Sequence, residues 1–342
     1  MPVRALAQTA AQLQAAEKEV VLAGYGGTIE QFMRDKLIPD FEKKTGIKVT
    51  YVVGTAFTNY AKVNASRNNP DIDIYWSNEL THVAGKQQGL YEKLDPAVLT
   101  NLADVYDVAK DPDNIGVGSY ILATGIQYNS DALKAAGIEP PKTWEDLWDP
   151  RYKGKIAMYS FNVAYSQDLV ALMARYLGGT EKDVKAGIAK LKTLRENGNL
   201  VKFVNSPAEL DTMMVQGQAW VTVNGSARSG ILQSQGAPIA FSYPKNGTGY
   251  FTNYFDVVKN APHPKAAQIF VNYLIGEEGQ QLLARGTVAA PVNKKVAIPD
   301  DLKAIVPSPE EAAKLIKIDR GEMNAQLDNW AAMWDREIQG KR

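Results

Sequence analysis

The sequence predicts an α/β protein built on parallel strands. Short apolar segments rich in β-branched residues alternate with segments whose apolar residues recur at helical spacing, and this alternation runs through both halves of the 342-residue chain. Hydrophobic residues make up 45% of the chain, which is enough for a substantial core. At this length, one large domain or two of ordinary size are expected.

The first half contains three successive strand–helix pairs. A buried strand is predicted at 19–25, followed by a helix over 28–46 that ends at Gly46. The alternating segment 47–54 predicts a second strand, and 71–76 a third, each followed by a helical segment. Such alternation is typical of parallel strands joined by helices.

The second half repeats this pattern and adds two long extended segments. These extended segments cover 119–129 and 250–261, and a single helix is predicted across 263–284. The last forty residues are predicted to be helical. Further strands are predicted at 153–160, 200–206, 219–227 and 239–244, and further helices at about 166–177, 181–197 and 207–216.

The segment TWEDLWDPRYKGKI at 143–156 carries no recognisable chemistry. Thr143 is placed to cap a short helix, with Asp146 as the acid of a capping box. Trp144 and Leu147 then fall on its buried side, so the segment predicts a packed structural corner. A role for Trp144 as a stacking surface for a ligand is the alternative.

Composition and motifs argue against several functional classes. Lysine plus arginine and aspartate plus glutamate both number 38, so no basic excess indicates nucleic-acid binding. The chain has no cysteine and only two histidines, His82 and His263, neither with a metal-ligand partner at helical spacing. No nucleophile elbow, phosphate loop or complete dinucleotide fingerprint is present. We therefore expect no cofactor, no metal and no enzymatic activity, with a hydrolytic enzyme as the least favoured hypothesis.

The first residues suggest export. Ala5-Leu6-Ala7 before Gln8 has the small-x-small pattern of a signal cleavage site, which predicts a residual export signal over 1–18. An ordinary alanine-rich start is the alternative. The expected location is periplasmic or extracellular.

Eight segments follow one another in a recognisable order: IPDFEKKTGIKVTYV, DIDIYWSNE, ATGIQYNSDAL, PPKTWEDLWDPRYKGKIAM, AWVTVNGSA, GAPIAFSYPKNGTGYF, NAPHPKAAQIFVNYLIGEEGQQLLA and PVNKKV. In this order they resemble the extracellular solute-binding proteins of bacterial ABC transporters, in the branch that includes spermidine/putrescine-binding and ferric-iron-binding proteins. The resemblance extends from about residue 19 to 330.

This resemblance implies a type II periplasmic-binding fold, with two α/β lobes joined by two crossing strands and a ligand cleft between them. The expected lobes are 19–122 plus 256–306, and 123–255 plus 307–342. The expected hinges lie around Thr124-Gly125 and Asn253-Tyr254. The implied mechanism is solute capture by lobe closure and delivery to a membrane permease, by a protein that acts as a monomer.

The solute is expected at the carboxyl ends of the strands, where loops lead into helices. Glycines there allow close approach of the backbone, aromatic rings offer flat walls, and amides and hydroxyls offer polar contacts. The candidate binding residues are Tyr25, Gly26, Gly27, Thr55, Trp76, Ser77, Asn78, Glu79, Tyr159, Ser160, Asn224, Ser226, Arg228, Phe251 and Asn253.

The charge of the solute is the open question. Polyamine binders of the family carry a tryptophan and an aspartate where this chain has Phe251 and Asn253, and the paired tyrosines of the iron-binding branch are absent. Arg228 is suited to a carboxylate or phosphate, because its guanidinium matches both geometrically. An anionic or zwitterionic solute is favoured. A polyamine is the alternative, with Glu79 and Asp256 as possible acids.

Overall fold

The structure, a computed structural model, describes residues 17–298, 300–303, 305–307, 309–312 and 314–340. The predicted export remnant at 1–18 lies outside these residues except for Glu17 and Lys18.

The strands, in chain order from β1 to β10, are Glu19–Tyr25, Lys48–Gly54, Ile74–Ser77, Val117–Asn129, Ile156–Tyr159, Leu200–Val204, Val221–Gly225, Ile239–Ser242, Thr248–Val257 and Leu315–Lys317. The α-helices, from α1 to α13, are Thr28–Phe32, Ile38–Thr45, Ala56–Ala65, Glu79–Gln87, Ser130–Ala135, Ala164–Tyr176, Lys185–Glu196, Pro207–Val215, Ser226–Ser234, Pro264–Leu274, Glu277–Thr287, Pro309–Ala312 and Arg320–Met333.

The chain forms two compact units, and each is discontinuous in sequence. Unit 1 takes its described residues from Met1–Ile121 and Thr252–Ile298. Unit 2 takes them from Leu122–Phe251 and Pro299–Arg342. The chain therefore passes from one unit to the other within β4, again within β9, and a third time after Ile298.

In unit 1, β1 lies between two parallel neighbours. It pairs with β2 along its whole length, from Glu19 opposite Lys48 to Tyr25 opposite Gly54, and with β3 on its other side. The second half of β9 adds to β3 in the antiparallel direction. Because β1, β2 and β3 run the same way, their carboxyl ends lie at one edge of the sheet.

In unit 2, three parallel strands are joined to an antiparallel group. β5 is parallel to both β6 and β7, and the second half of β4 runs antiparallel to β7 and β8. The short strand β10 is parallel to the first half of β9. Strand β10 lies in the region that the sequence predicted to be wholly helical, so that prediction is wrong for 315–317.

The unit boundaries differ from the expected lobes. Residues 252–255 were expected in the second lobe, but β9 pairs with β3 through Tyr254 and Phe255, which places them in unit 1. The described residues between 299 and 306 belong to unit 2, where the Tyr243 hydroxyl donates to the carbonyl of Ile305 at 2.6 Å. Contacts between residues far apart in sequence decide both differences.

The long helix predicted across 263–284 is two helices. α10 ends at Leu274 and α11 begins at Glu277, with Gly276 between them in an extended conformation. Glycine is a poor helix former, and its extended backbone here starts the new helix as an N-cap. The apolar stripe was predicted correctly, but the break within it was not.

The segment at 143–156 forms the predicted packed corner. Residues Trp144–Trp148 make one short 3-10 helix, and Asp146 accepts from the backbone N–H of Thr143 at 2.8 Å. Trp144 is fully buried, and its Nε1 donates to the carbonyl of Gly247 at 2.6 Å. A stacking role for Trp144 is therefore excluded by its burial in this structure.

Within the described ranges, every helix is too short or too polar to cross a lipid bilayer.

Candidate functional site

The strand ends of unit 1 lead directly into helices. After β1 the chain turns at Gly26 and Gly27, and Gly27 has a φ of 72°, a conformation that favours glycine. After β2, the Thr55 hydroxyl accepts from the N–H of Thr58 at 3.1 Å at the start of α3. After β3, Asn78 Oδ1 accepts from the N–H of Thr81 at 2.9 Å and caps α4. Thr55 and Asn78 are thus helix caps, and any solute contact comes in addition.

An aromatic cluster stands at this edge of unit 1. The Tyr25 ring packs edge-on against Trp76 at 5.4 Å between centroids, and Tyr120 contacts the other side of Trp76 at 6.0 Å. Trp76 is fully buried, whereas Tyr25 is partly exposed. Trp76, which was expected to contact the solute, therefore packs behind Tyr25. Tyr25 is the ring of this pair that is accessible to a solute.

Asn253 connects this cluster to β9. Its Nδ2 donates to the Tyr25 hydroxyl at 3.0 Å and to the Tyr120 hydroxyl at 2.6 Å. Its backbone carbonyl accepts from the Ser119 hydroxyl at 3.0 Å, and Ser119 accepts from Trp76 Nε1 at 3.0 Å. The structure thus brings together three residues predicted separately, Tyr25, Trp76 and Asn253, and adds Tyr120.

A buried charge cluster lies behind Ser77. The Ser77 hydroxyl donates to Asp256 Oδ2 at 2.6 Å, and His82 Nδ1 contacts Asp256 Oδ1 at 2.7 Å. His82 Nε2 lies 3.4 Å from Asp111 Oδ2, and Lys86 also contacts Asp111. Burial disfavours the charged imidazole, but the two carboxylates outweigh it and raise the pKa of His82 to about 9.

This cluster uses one of the two acids considered for a polyamine. Asp256 is completely buried and already compensated by protonated His82 and by Ser77. The other, Glu79, is only 8% exposed at the start of α4. Ser77 is buried as well, so its first role is to hold Asp256 rather than to contact a solute.

The strand ends of unit 2 are more tightly packed than expected. Asn224 Nδ2 donates to Gln127 Oε1 at 2.7 Å, and the Ser226 hydroxyl accepts from the N–H of Ala123 at 3.2 Å. Tyr159 is also buried, and its ring stacks at 6.0 Å on that of Tyr165. Of the residues predicted in this unit, Ser160, Arg228 and Phe251 retain partial exposure.

Arg228 is already engaged within unit 2. One guanidinium nitrogen forms an ion pair with Asp211, on the neighbouring helix α8, and this contact raises the pKa of Arg228. The Arg228 Nε is buried and has no hydrogen-bond partner among the described residues. The guanidinium therefore keeps donor capacity, but its charge is partly neutralised.

The described residues contain no cluster of three or more histidine, cysteine, aspartate or glutamate side chains arranged to hold a metal ion. The carboxylates of Asp256 and Asp211 instead pair with His82 and Arg228.

Comparison with known proteins decides the family. The sequence model of the bacterial extracellular solute-binding proteins matches residues 36–309. The chain belongs to this family.

Similar proteins of the family differ in what their names say they bind. A γ-aminobutyric acid-binding protein of Pseudomonas aeruginosa is 26% identical over 94% of this chain and 94% of its own. A spermidine/putrescine-binding periplasmic protein of Escherichia coli is 28% identical over 72% of this chain and 70% of its own.

A crystal structure shows the shared fold. The spermidine/putrescine-binding protein of Streptococcus pneumoniae superimposes with a TM-score of 0.75 at 20% identity, over 93% of this chain and 99% of its own. The type II periplasmic-binding fold expected from the sequence is thereby confirmed. Solute-binding proteins of this family are bacterial, extracellular or periplasmic, and deliver their ligands to ABC permeases. This chain is a substrate-binding protein of the ABC importer type.

Sequence reasoning missed three residues that shape the candidate site. Tyr120 lies in an extended segment whose alternation alone does not distinguish it from a core tyrosine. His82 and Asp211 act through partners 174 and 17 residues away in sequence. A signal for Tyr120 was available in its position on the same strand as the expected hinge at Thr124.

Proposed function

We propose that this protein is the receptor of an ABC importer for a small organic solute that carries a carboxylate, either an anion or a zwitterion. The strand ends of unit 1 supply the partly exposed ring of Tyr25, the amide of Asn253 and the backbone at Gly26 and Gly27. In unit 2, considered by itself, Ser160, Arg228 and Phe251 are the candidate residues that retain partial exposure.

The pairing of Asp256 carries this proposal. A diammonium solute needs carboxylates to offset the loss of its hydration. Asp256 is bound on both oxygens, by His82 and Ser77, and Asn253 stands where the polyamine binders that this chain resembles carry an aspartate. Within the pair of Arg228 and Asp211 the positive partner is the more accessible, because Arg228 is 37% exposed while Asp211 is 11% exposed.

The relatives support the same solute class. The γ-aminobutyric acid-binding protein of Pseudomonas aeruginosa, whose ligand is a zwitterion, matches along nearly the whole chain. The spermidine/putrescine-binding relatives keep a polyamine as the second candidate. The two candidates differ in the charge of the solute, which one experiment separates.

The decisive experiment is mass spectrometry of the small molecule retained by the purified protein, followed by a thermal-unfolding screen. We expect γ-aminobutyrate or a related carboxylate to raise the melting temperature and putrescine not to do so. A solute at 100 times its dissociation constant adds about 2.7 kcal/mol to the free energy of unfolding. A strong spermidine shift with no response to any carboxylate would overturn the proposal in favour of the polyamine.

The transport role has its own tests. Solute recovered unchanged after long incubation supports a receptor, whereas conversion to a product would favour a hydrolytic enzyme. We further propose that the protein is exported and acts as a monomer that hands its solute to a permease. Light scattering after size-exclusion chromatography should give a mass near 37.5 kDa for this chain.

A further inference from the structure

The amide of Asn253 fixes the hydrogen-bond polarity of two tyrosines. Nδ2 has two N–H bonds, and they are directed to the hydroxyl oxygens of Tyr25 and Tyr120 at 3.0 and 2.6 Å. Each phenol oxygen therefore accepts from the same amide. Each phenol O–H remains free to donate elsewhere.

Among the described residues, no acceptor takes either of these two protons. Each hydroxyl makes only its contact with Asn253. Burial raises the pKa of both tyrosines, so both hydroxyls remain protonated donors at any physiological pH. Of these two donors only Tyr25 belongs to a partly exposed residue, so its proton is the one open to an acceptor brought by a ligand.

The geometry around Asn253 is fixed from several sides. Its carbonyl accepts from the Ser119 hydroxyl at 3.0 Å, and the neighbouring Thr252 hydroxyl donates to the carbonyl of Tyr120 at 2.5 Å. The Tyr25 ring rests on Trp76, and the Tyr25 carbonyl accepts from the Tyr51 hydroxyl at 2.7 Å. The donor pair is therefore held in place before a ligand arrives, which lowers the entropic cost of binding.

We propose that Asn253 is the residue that selects the charge of the solute, by presenting the Tyr25 hydroxyl as a donor for a solute carboxylate. This inference rests on the proposed function and gives unit 1 a hydrogen-bond donor for a carboxylate. Tyr25, which is partly exposed, makes the direct contact, and Tyr120, which is 6% exposed, orients the amide from beneath.

An aspartate at this position would have the opposite effect. Its carboxylate would accept both phenol protons, so neither hydroxyl could donate to the solute. It would also add a negative charge beside Tyr25. The site would then repel carboxylates and attract ammonium groups. Replacing the amide nitrogen of Asn253 by the oxygen of an aspartate would therefore invert the selectivity for solute charge.

The test uses two probes of the same carbon-chain length, γ-aminobutyrate and putrescine, which share one ammonium group and differ at the other end. Calorimetric titration of the whole protein should show preference for γ-aminobutyrate. Tyr25→Phe should weaken that binding about 10-fold or more, because a hydrogen bond to a charged group is lost. Asn253→Asp should lower the preference for γ-aminobutyrate over putrescine by about 100-fold, because the affinity for γ-aminobutyrate falls and the affinity for putrescine rises.

Tyr273→Phe is the matched control. Tyr273 is a buried tyrosine of unit 1 whose hydroxyl donates to Asp40 at 2.6 Å, away from the strand ends. Its removal should lower the melting temperature and leave both affinities unchanged.

The possible outcomes separate this inference from the proposed function. If the parent binds γ-aminobutyrate and the Tyr25→Phe and Asn253→Asp variants bind it equally well, the solute class stands and the role of Asn253 is refuted. If the parent binds putrescine in preference to γ-aminobutyrate, or binds no carboxylate in a screen of anions and zwitterions, the proposed solute class fails and this inference fails with it.

Discussion

At the scale of single residues, the ion pair between Arg228 and Asp211 determines how much positive charge unit 2 can offer. The two side chains come from α9 and α8, and Asp211 is the more buried partner. An arginine paired in this way can still bind a carboxylate, but it does so against competition from its own partner.

The first prediction uses this competition. Asp211→Asn should tighten binding of a carboxylate solute several-fold, because the guanidinium is released, while Arg228→Ala should weaken it about 10-fold or more. Both changes should cost only about 1 kcal/mol in stability, since Arg228 is 37% exposed and water screens the pair. Calorimetric titration measures the affinities. Equal affinity in the parent and both variants would place Arg228 outside the solute site.

The sequence predicted which strand ends to examine but not the state of each side chain there. Trp76 and Tyr159 lie at or next to the carboxyl ends of their strands, as expected, yet both are buried. The position of a residue on a strand does not tell whether a neighbouring element covers its side chain. Arg228 was a sound candidate, but its partner lies on another helix. Contacts of this kind depend on tertiary packing and leave no trace in local sequence.

The second prediction concerns His82. Its imidazole faces Asp256 on β9 and Asp111 in the segment before β4, and Lys86 pairs with Asp111. The rings of Tyr91 and Tyr254 stack on the imidazole. Its pKa is about 9 in the folded protein, above its ordinary value of 6.5. Protonated His82 therefore stabilises the fold fully below about pH 6.5, and this stabilisation, about 3 kcal/mol at most, is lost as the pH rises through 9.

Urea unfolding between pH 6 and 10 measures this effect. His82→Gln should be less stable at pH 6 and should lose most of the decline towards pH 10. His263 is the only other histidine in the chain, so His263→Gln is the matched control and should keep the decline. An identical decline in His82→Gln and the parent would show that His82 is not the titrating group.

At the scale of elements, the turn that begins β4 is fitted to the same charge cluster. Gly116 has a φ of 76°, and a Cβ built there would overlap Asp256 Oδ1. The turn therefore requires glycine for two separate reasons, its backbone conformation and the space taken by the carboxylate.

The third prediction separates these reasons. Gly89→Ala has the same kind of backbone cost, with a φ of 67°, but a Cβ there meets nothing. It should lower stability by about 1 kcal/mol. Gly116→Ala should cost clearly more, since Asp256 must move away from His82 and Ser77. Equal losses in thermal unfolding would contradict the close packing at Gly116.

Elements were more predictable than residues, because periodicity is a local property. The helix at 207–216 and the strand at 119–129 lie within two residues of Pro207–Val215 and Val117–Asn129. The failures occurred where tertiary structure overrides pattern. One is the break at Gly276, and another is β10, a strand that exists only because β9 offers it an edge.

At the scale of the whole molecule, neither unit is a continuous piece of chain. Phe41, in the first segment of unit 1, packs on Phe270 and Tyr273 of the second, with ring centroids 4.4 and 5.3 Å apart. β3 also has β9 as its antiparallel neighbour. The first segment alone lacks both partners.

The fourth prediction follows from this arrangement. A fragment of residues 17–121 should show no cooperative unfolding by circular dichroism. The same fragment joined by a short linker from Ile121 to residues 252–298 should unfold cooperatively. These ends suit a short linker, because the Thr252 hydroxyl donates to the carbonyl of Tyr120 at 2.5 Å. Cooperative unfolding of the shorter fragment would contradict the dependence on β9 and α10.

The discontinuity of unit 1 also affects how the protein is made. While the ribosome is still synthesising residues 122–251, β3 lacks its neighbour β9 and Phe41 lacks Phe270 and Tyr273, so unit 1 cannot complete its fold until the segment ending at Ile298 has emerged. A nascent chain that folds late stays extended for longer. Proteins that cross a membrane through a narrow secretion channel must pass in that extended form, so late folding of unit 1 is compatible with the export that we propose.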